Sequence, residues 1–173
     1  MRQPVLHQLR ISIAWLVLAA LCACGPVQPK LEPRVNFVTL SGQAFGPAQY
    51  LGKPLYVNFW STTCSACLKE MPELVKLHQT LKDRNLQMIA VAMPYDMPSA
   101  VVELSALKQW PFAVAIDPQS LAVKAFGNVE QTPSHFLLND AGRVVWRAQG
   151  ELRLEDLENA LRTNGLAGDG RAS

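Results

Sequence analysis

The sequence predicts an α/β domain: a central mixed sheet flanked by helices, with an antiparallel hairpin at one edge. Three observations carry this. Residues 55–60 (LYVNFW) and 86–92 (LQMIAVA) are short, almost unbroken apolar runs, the composition of strands buried on both faces. Between and after them lie longer stretches whose apolar residues recur at helical spacing. Near the end, NDAG at 139–142 separates two short apolar runs, as a hairpin turn does.

The elements follow in order. Residues 34–40 alternate weakly and predict a strand. Ser41-Gly42 makes a turn, and residues 43–45 return as a short second arm. After the strand at 55–60, residues 64–83 place Cys67, Leu68, Met71, Leu74, Val75, Leu77 and Leu81 on one helical face. Pro72 lies inside this helix and predicts a kink. The strand at 86–92 comes next. Ser99 is placed to cap a helix running to about Trp110, with Pro111 after it. Residues 113–116 predict a short strand, and 118–126 a helix closed by Gly127. Residues 134–138 and 144–147 form the hairpin. Residues 154–162 predict a last amphipathic helix, and 165–173 a frayed tail.

A chain of 173 residues, nearly half hydrophobic, suits one domain with short extensions. Its net charge is +2, and two of its sixteen basic residues, Arg2 and Arg10, lie in a leader-like N-terminus. Without them basic and acidic residues balance, 14 against 14. This argues against nucleic acid as a partner.

The N-terminus reads as an address. Arg2 and Arg10 precede an apolar stretch, residues 11–21, that is followed by CACG. The run is shorter than the roughly 20 residues that span a bilayer comfortably, so a signal peptide is expected. A short uncleaved anchor is the alternative. Leu21-Cys22-Ala23-Cys24 resembles the lipobox of bacterial lipoproteins, with Leu and Ala at the expected places before Cys24. That resemblance implies a signal peptide over 1–23, acylation of Cys24 and a membrane held through the lipid. A plain signal peptide with incidental cysteines is the other reading. A polar, proline-rich tether (24–33) would then lift a domain (34–164) off the surface.

The folded part holds one cysteine pair, Cys64 and Cys67, in STTCSACLKEMPEL. A structural zinc site takes four Cys or His ligands. His78 lies too far along the same helix to join the pair, and His135 has no histidine at ligand spacing, so no metal is expected. As a staple the pair would close so small a loop that it would restrain the unfolded chain little. Redox chemistry fits the placement better. A helix start offers unpaired amides and a positive dipole end, and both favour a thiolate. Cys64 is expected to be the exposed thiol of lowered pKa, and Cys67, one turn deeper, the thiol that resolves a mixed disulfide.

Strand, Trp60, then CxxC at a helix start followed by a proline resembles the thioredoxin-fold layout. CSACLKEMPEL is similar to the CxxCxxExP pattern of the TlpA/ResA-like and CcmG-like thioredoxins of cell envelopes. QTPSHFLLNDAGRVV resembles their cis-proline strand and hairpin. Residues 93–116 correspond to their helix-strand insert, and 34–45 to an N-terminal strand extension. Three residues depart from the pattern. Thr63 stands where these families carry Trp, Ser65-Ala66 lacks the common proline, and Ser61 fills a slot often held by Ala or Gly. The intervening dipeptide tunes the potential, so no potential carries over.

The resemblance implies roles. Glu70 is the acid near the dithiol, placed to exchange a proton with Cys67. A solvated face is the bland alternative for Glu70, and the stronger reading for Lys69 and Glu73. Thr132-Pro133 is implied to be cis, so that the Thr132 backbone can pair with an extended substrate segment. Trp60 is either core packing or a lid over the disulfide. His135 is expected to be an ordinary strand residue, and Met88 a core filler.

No dissociable cofactor is expected; the redox group is the Cys64–Cys67 disulfide itself. The implied function is a membrane-anchored extracytoplasmic thiol-disulfide oxidoreductase. It would reduce disulfides of envelope proteins, apocytochrome c among them, with a DsbD/CcdA-like membrane protein as electron donor. The periplasmic side of the envelope is implied, with Gly25 after Cys24 favouring the outer membrane, and a monomer is expected. The alternative is a copper metallochaperone using Cys64 and Cys67 with a Met or His.

Overall fold

The computed structural model describes residues 31–81 and 85–166. Seven strands form one sheet. They are β1 (Phe37–Thr39), β2 (Ala44–Phe45), β3 (Leu55–Trp60), β4 (Gln87–Ala92), β5 (Ala113–Ile116), β6 (Ser134–Leu138) and β7 (Val144–Gln149), in the order β2-β1-β5-β4-β3-β6-β7. The core strands β3, β4 and β5 are parallel, while β6 runs antiparallel to β3 and β7 antiparallel to β6. The β1–β2 hairpin joins the far edge through an antiparallel β1–β5 pairing. The expected mixed sheet with helical flanks is the fold observed.

Among the described residues the helices are α1 (Pro47–Tyr50), α2 (Ser65–Leu81), α3 (Pro98–Lys108), α4 (Leu121–Ala125) and α5 (Leu154–Thr163). Alternation along β3 divides the core in two. Tyr56 and Trp60 face the layer that holds Met71, Leu74 and Leu77 of α2 and Leu157 and Leu161 of α5. Leu55, Val57 and Phe59 face Phe37, Tyr50, Ala122, Phe126 and Phe136. There the rings of Phe59, Phe126 and Phe136 meet edge to face, with centroids 5.0–5.7 Å apart. Every residue of β3 is buried, because sheet neighbours and both layers cover it.

Several boundaries depart from the sequence expectation. The first strand shrinks to three residues. The helix expected from Ser99 starts one residue earlier, at Pro98. Proline suits the first helical position, where no amide partner is needed, and Ser99 is no cap. The helix expected over 118–126 begins only at Leu121, because the Asp117 carboxylate accepts the amides of Ala122 (3.1 Å) and Val123 (2.8 Å) and fixes its start. Helix α1, four residues long, carried no expectation. Pro72 lies within α2, which runs unbroken from Ser65 to Leu81.

The folded part also starts and ends outside its expected bounds. Leu31 accepts a hydrogen bond from the Val144 amide (2.9 Å), Glu32 pairs with Arg143 (2.9 Å), and the Tyr50 hydroxyl donates to the Pro33 carbonyl (3.1 Å). Residues 31–33 therefore belong to the domain rather than to a tether. Leu166 packs on the core, its amide bonded to Leu161. The expected leader, Cys22 and Cys24 lie outside the described residues. Among the described residues, no helix is long and apolar enough to cross a membrane.

In the β6–β7 turn the Asn139 side chain accepts the amides of Ala141 and Arg143, and Gly142 donates to the Asn139 carbonyl. Gly142 holds φ +77°, a conformation open to glycine at no steric cost.

Candidate active site

β3 ends at Trp60 and the chain turns at once into α2. The turn is closed by the Cys64 amide donating to the Ser61 carbonyl (3.1 Å). Cys64 then stands just before the first helical residue, and its carbonyl accepts the Leu68 amide. It is the N-cap, and its sulfur does what a capping oxygen does: the Cys67 backbone N–H points at Sγ from 3.1 Å. The two sulfurs are bonded as a disulfide, with the Cα atoms 5.2 Å apart. Cys64 is partly exposed and Cys67 fully buried, the inequality the sequence predicts.

Pro133 follows a cis peptide bond from Thr132, as expected. Ser134 pairs with Phe59, so Pro133 lies beside Trp60, at the sheet end from which the dithiol helix departs. Pro133 is buried and Thr132 partly exposed. Of the two readings of Trp60, a lid over the disulfide that would touch substrate and a core residue, the structure supports the core residue. It is fully buried, its ring edge-on to Trp110 with centroids 5.1 Å apart, and as core packing it offers no surface to a partner.

Glu70 is 5% exposed, on the inner face of α2, which sets aside the solvated-face alternative. Its Oε1 accepts from Asn58 Nδ2 (3.2 Å) and its Oε2 from the Leu152 amide (3.1 Å). Burial, the main cause, raises its pKa from 4.5 to about 7. The Leu152 amide and the Asn58 side chain oppose this, and the charge of Glu151 adds to it. The same residue lines an open cleft with Lys69, Glu73 and Leu152. Lys69 and Glu73 are themselves surface groups, paired with Glu151 and Lys76.

Sequence reasoning missed the rest of this polar cluster. His135, fully buried, pairs across the sheet with Asn58. Its Nε2 faces the Gly150 carbonyl at 2.9 Å and lies 3.7 Å from Glu70 Oε2. A carbonyl only accepts, so Nε2 carries the hydrogen and Nδ1 is left as an acceptor. The Tyr56 hydroxyl donates to Nδ1 from 2.7 Å, and Asn58 Nδ2 lies 3.2 Å away. Burial lowers the His135 pKa to about 4, opposed by its bond to Gly150, and so keeps the ring neutral. Burial, and then the charge of Glu70, raises Tyr56 well above 10.0. The available signals were small: one Asn inside LYVNFW and one His inside SHFLL, polar residues in strands otherwise built for burial.

A second network holds the turn before the dithiol. The Asp96 carboxylate accepts from Ser61 Oγ (3.0 Å), Thr62 Oγ1 (2.8 Å) and the Thr62 amide (3.1 Å). Ser61 Oγ also meets Thr63 Oγ1 at 3.0 Å. Asp96 was not foreseen, because the contact joins segments more than thirty residues apart. Among the described residues, no three or more of His, Cys, Asp and Glu gather in a way that could hold a metal ion. Met88 is a buried core residue, as expected.

A partly exposed thiol at a helix start, a buried partner one turn in, and a carboxyl able to change charge near pH 7 can together exchange disulfides. Known proteins point the same way. The Redoxin family model matches residues 27–161. The thiol-disulfide oxidoreductase ResA of Bacillus thuringiensis subsp. konkukian is 34% identical over 131 residues, covering 73% of each chain. ResA of Geobacillus kaustophilus is 31% identical over 132 residues, covering 76% of this chain and 74% of its own. Among solved structures, a candidate thioredoxin from Neisseria meningitidis aligns with a TM-score of 0.72 at 28% identity, over 83% of this chain and 95% of that one. StoA from Bacillus subtilis shares the fold, with a TM-score of 0.65 at 19% identity, over 76% and 98%. From motif, fold and relatives together, this chain belongs to the Redoxin family, as a thioredoxin-fold thiol-disulfide oxidoreductase of the TlpA/ResA/CcmG-like group.

Proposed function

We propose that the protein reduces disulfides of extracytoplasmic proteins, with Cys64 as the attacking thiolate, Cys67 as the resolving thiol and Glu70 as the proton acceptor. The observation that carries the assignment is the Cys67 amide aimed at Cys64 Sγ from the cap of α2. An N–H and a helix dipole end both favour negative charge on that sulfur. In the reduced protein, the Cys64 thiolate attacks one sulfur of a client disulfide. A mixed disulfide forms and one client thiolate leaves. Cys67 then gives its proton to the Glu70 carboxylate, one helical turn away, and attacks Cys64 Sγ. The Cys64–Cys67 bond closes and the second client thiolate leaves. Two electrons have passed to the client, and the proton leaves Glu70 through the open cleft.

The setting is part of the proposal. Cys24 carries a lipid, and the domain works as a monomer on the periplasmic side of the envelope, the outer membrane favoured. A membrane donor of the DsbD/CcdA kind returns the electrons. Apocytochrome c is one candidate client class. The lipobox-like stretch and the family resemblance support these statements. A trapping experiment tests the chemistry. Cys67→Ala should accumulate mixed disulfides with clients, because the resolving attack is lost, and Cys64→Ala should accumulate none. Equal trapping by both variants would refute the division of roles.

A further inference from the structure

The dithiol sits at the end of β3, and the sheet order gives that end two neighbours. On one side is the start of β6, with Thr132 and Pro133. On the other is the end of β4, where the chain continues from Met93 to Met97. This second flank is a built turn. The Met93 amide donates to the Trp60 carbonyl (2.9 Å), which extends the β3–β4 pairing, and the Asp96 amide returns to the Met93 carbonyl (3.0 Å). The Asp96 carboxylate then ties the turn to Ser61 and Thr62, two residues before Cys64. On either side of this latch are two large apolar side chains left in water, Tyr95 at 64% and Met97 at 70% exposure.

Hydrogen bonds fix this turn and two apolar side chains on it stand in water, and its place beside the dithiol gives them a use. Disulfide exchange needs the client sulfur in line with Cys64 Sγ, so the client's chain must lie across the surface around Cys64. The Tyr95–Met97 turn continues that surface on the side away from Pro133. A phenol ring and a thioether give contact area that adapts to varied apolar shapes.

We propose that Tyr95 and Met97 form the second wall of the client site and receive an apolar side chain next to the reacting cysteine of an extended polypeptide. Asp96 is a positioning residue that sets this wall against the dithiol. The proposal names the client class of the reductase described above and rests on that reading.

The test uses the reduced full-length protein and synthetic peptides, each with one cysteine joined by a disulfide to a chromogenic thiol. One peptide carries Leu and Phe beside the cysteine, the other Ser and Asn. Wild type should reduce the apolar peptide about tenfold faster in kcat/KM, the scale of a modest hydrophobic contact. The ratio should approach one in the double variant Tyr95→Ser, Met97→Ser. It should also fall in Asp96→Ala, where both side chains remain but the latch is lost. Leu107→Ser removes an equally exposed apolar side chain from α3 and should leave the ratio unchanged. A ratio near one in wild type, or a preference kept by the double variant, overturns the proposal. Concentration-dependent dimerisation abolished by the double variant, with the peptide ratio intact, would assign the pair to a second copy instead and overturn it as well. A wild type unable to reduce even a small organic disulfide would overturn the reductase reading itself.

Discussion

Glu70 and His135, 3.7 Å apart and both buried, should pull the pH dependence of stability in opposite directions. Glu70 is raised from 4.5 to about 7 in the fold. The folded state therefore holds its proton where the unfolded chain has lost it. Its contribution is complete below pH 4.5 and is lost as pH rises through about 7. At ~1.4 kcal/mol for each pH unit of displacement, ionised Glu70 costs about 3 kcal/mol. His135 is lowered from 6.5 to about 4. Its contribution is complete above pH 6.5 and is lost as pH falls through about 4, again about 3 kcal/mol. Between pH 4.5 and 6.5 the two slopes nearly cancel in wild type.

Single variants should unmask them. Glu70→Gln is close to isosteric, and Asn58 can absorb it. Its Oδ1 has no hydrogen-bond partner among the described residues, and turning the amide offers that oxygen to the new NH₂. Denaturant unfolding of the oxidised protein, measured from pH 4 to 8.5, gives the difference between variant and wild type. For Glu70→Gln that difference should grow by about 3 kcal/mol in the variant's favour from pH 4.5 to 7.5. For His135→Gln it should move about 3 kcal/mol against the variant from pH 4 to 6.5. A flat Glu70→Gln difference across that window would refute a carboxyl raised by burial. It would also remove the basis for proton exchange with Cys67 near neutrality.

Three further outcomes are expected. Tyr56→Phe removes the hydroxyl donated to His135 Nδ1 and leaves the weaker Asn58 contact, so unfolding midpoints should report a loss of about 1 kcal/mol. Gly142→Ala forces a side chain into φ +77° with Leu51 Cδ2 only 2.8 Å from the new carbon, a loss of ~1–2 kcal/mol in the same assay. Cys24→Ala should abolish labelling by palmitate and release the protein from membrane fractions; an unlabelled wild type would end the lipid-anchor proposal.

Much of the fold was legible because local pattern and tertiary environment agree. The run at 55–60 reads as a buried strand and is one, covered on both faces. The dithiol at a strand–helix junction was equally plain. The cis bond at Thr132-Pro133 came from the family resemblance alone, since a single proline in sequence favours trans. The Glu70–Asn58–His135–Tyr56 cluster could not be read. It exists because the β3–β6 register sets Asn58 opposite His135, a pairing of residues 77 apart. Asp96 escaped notice for the same reason, and a four-residue helix such as α1 is too short to show a period.

The anchoring of residues 31–33 has a consequence for orientation. Leu31 and Glu32 are fastened at Val144 and Arg143, where β7 begins beside the end of β6 and the start of β3. The dithiol lies past the opposite end of β3, six residues and ~20 Å away along the strand. The chain therefore joins the domain at one pole of the sheet and exposes its chemistry at the other. The segment that enters the domain and the dithiol therefore use separate surfaces, and a client can reach Cys64 without passing residues 31–33.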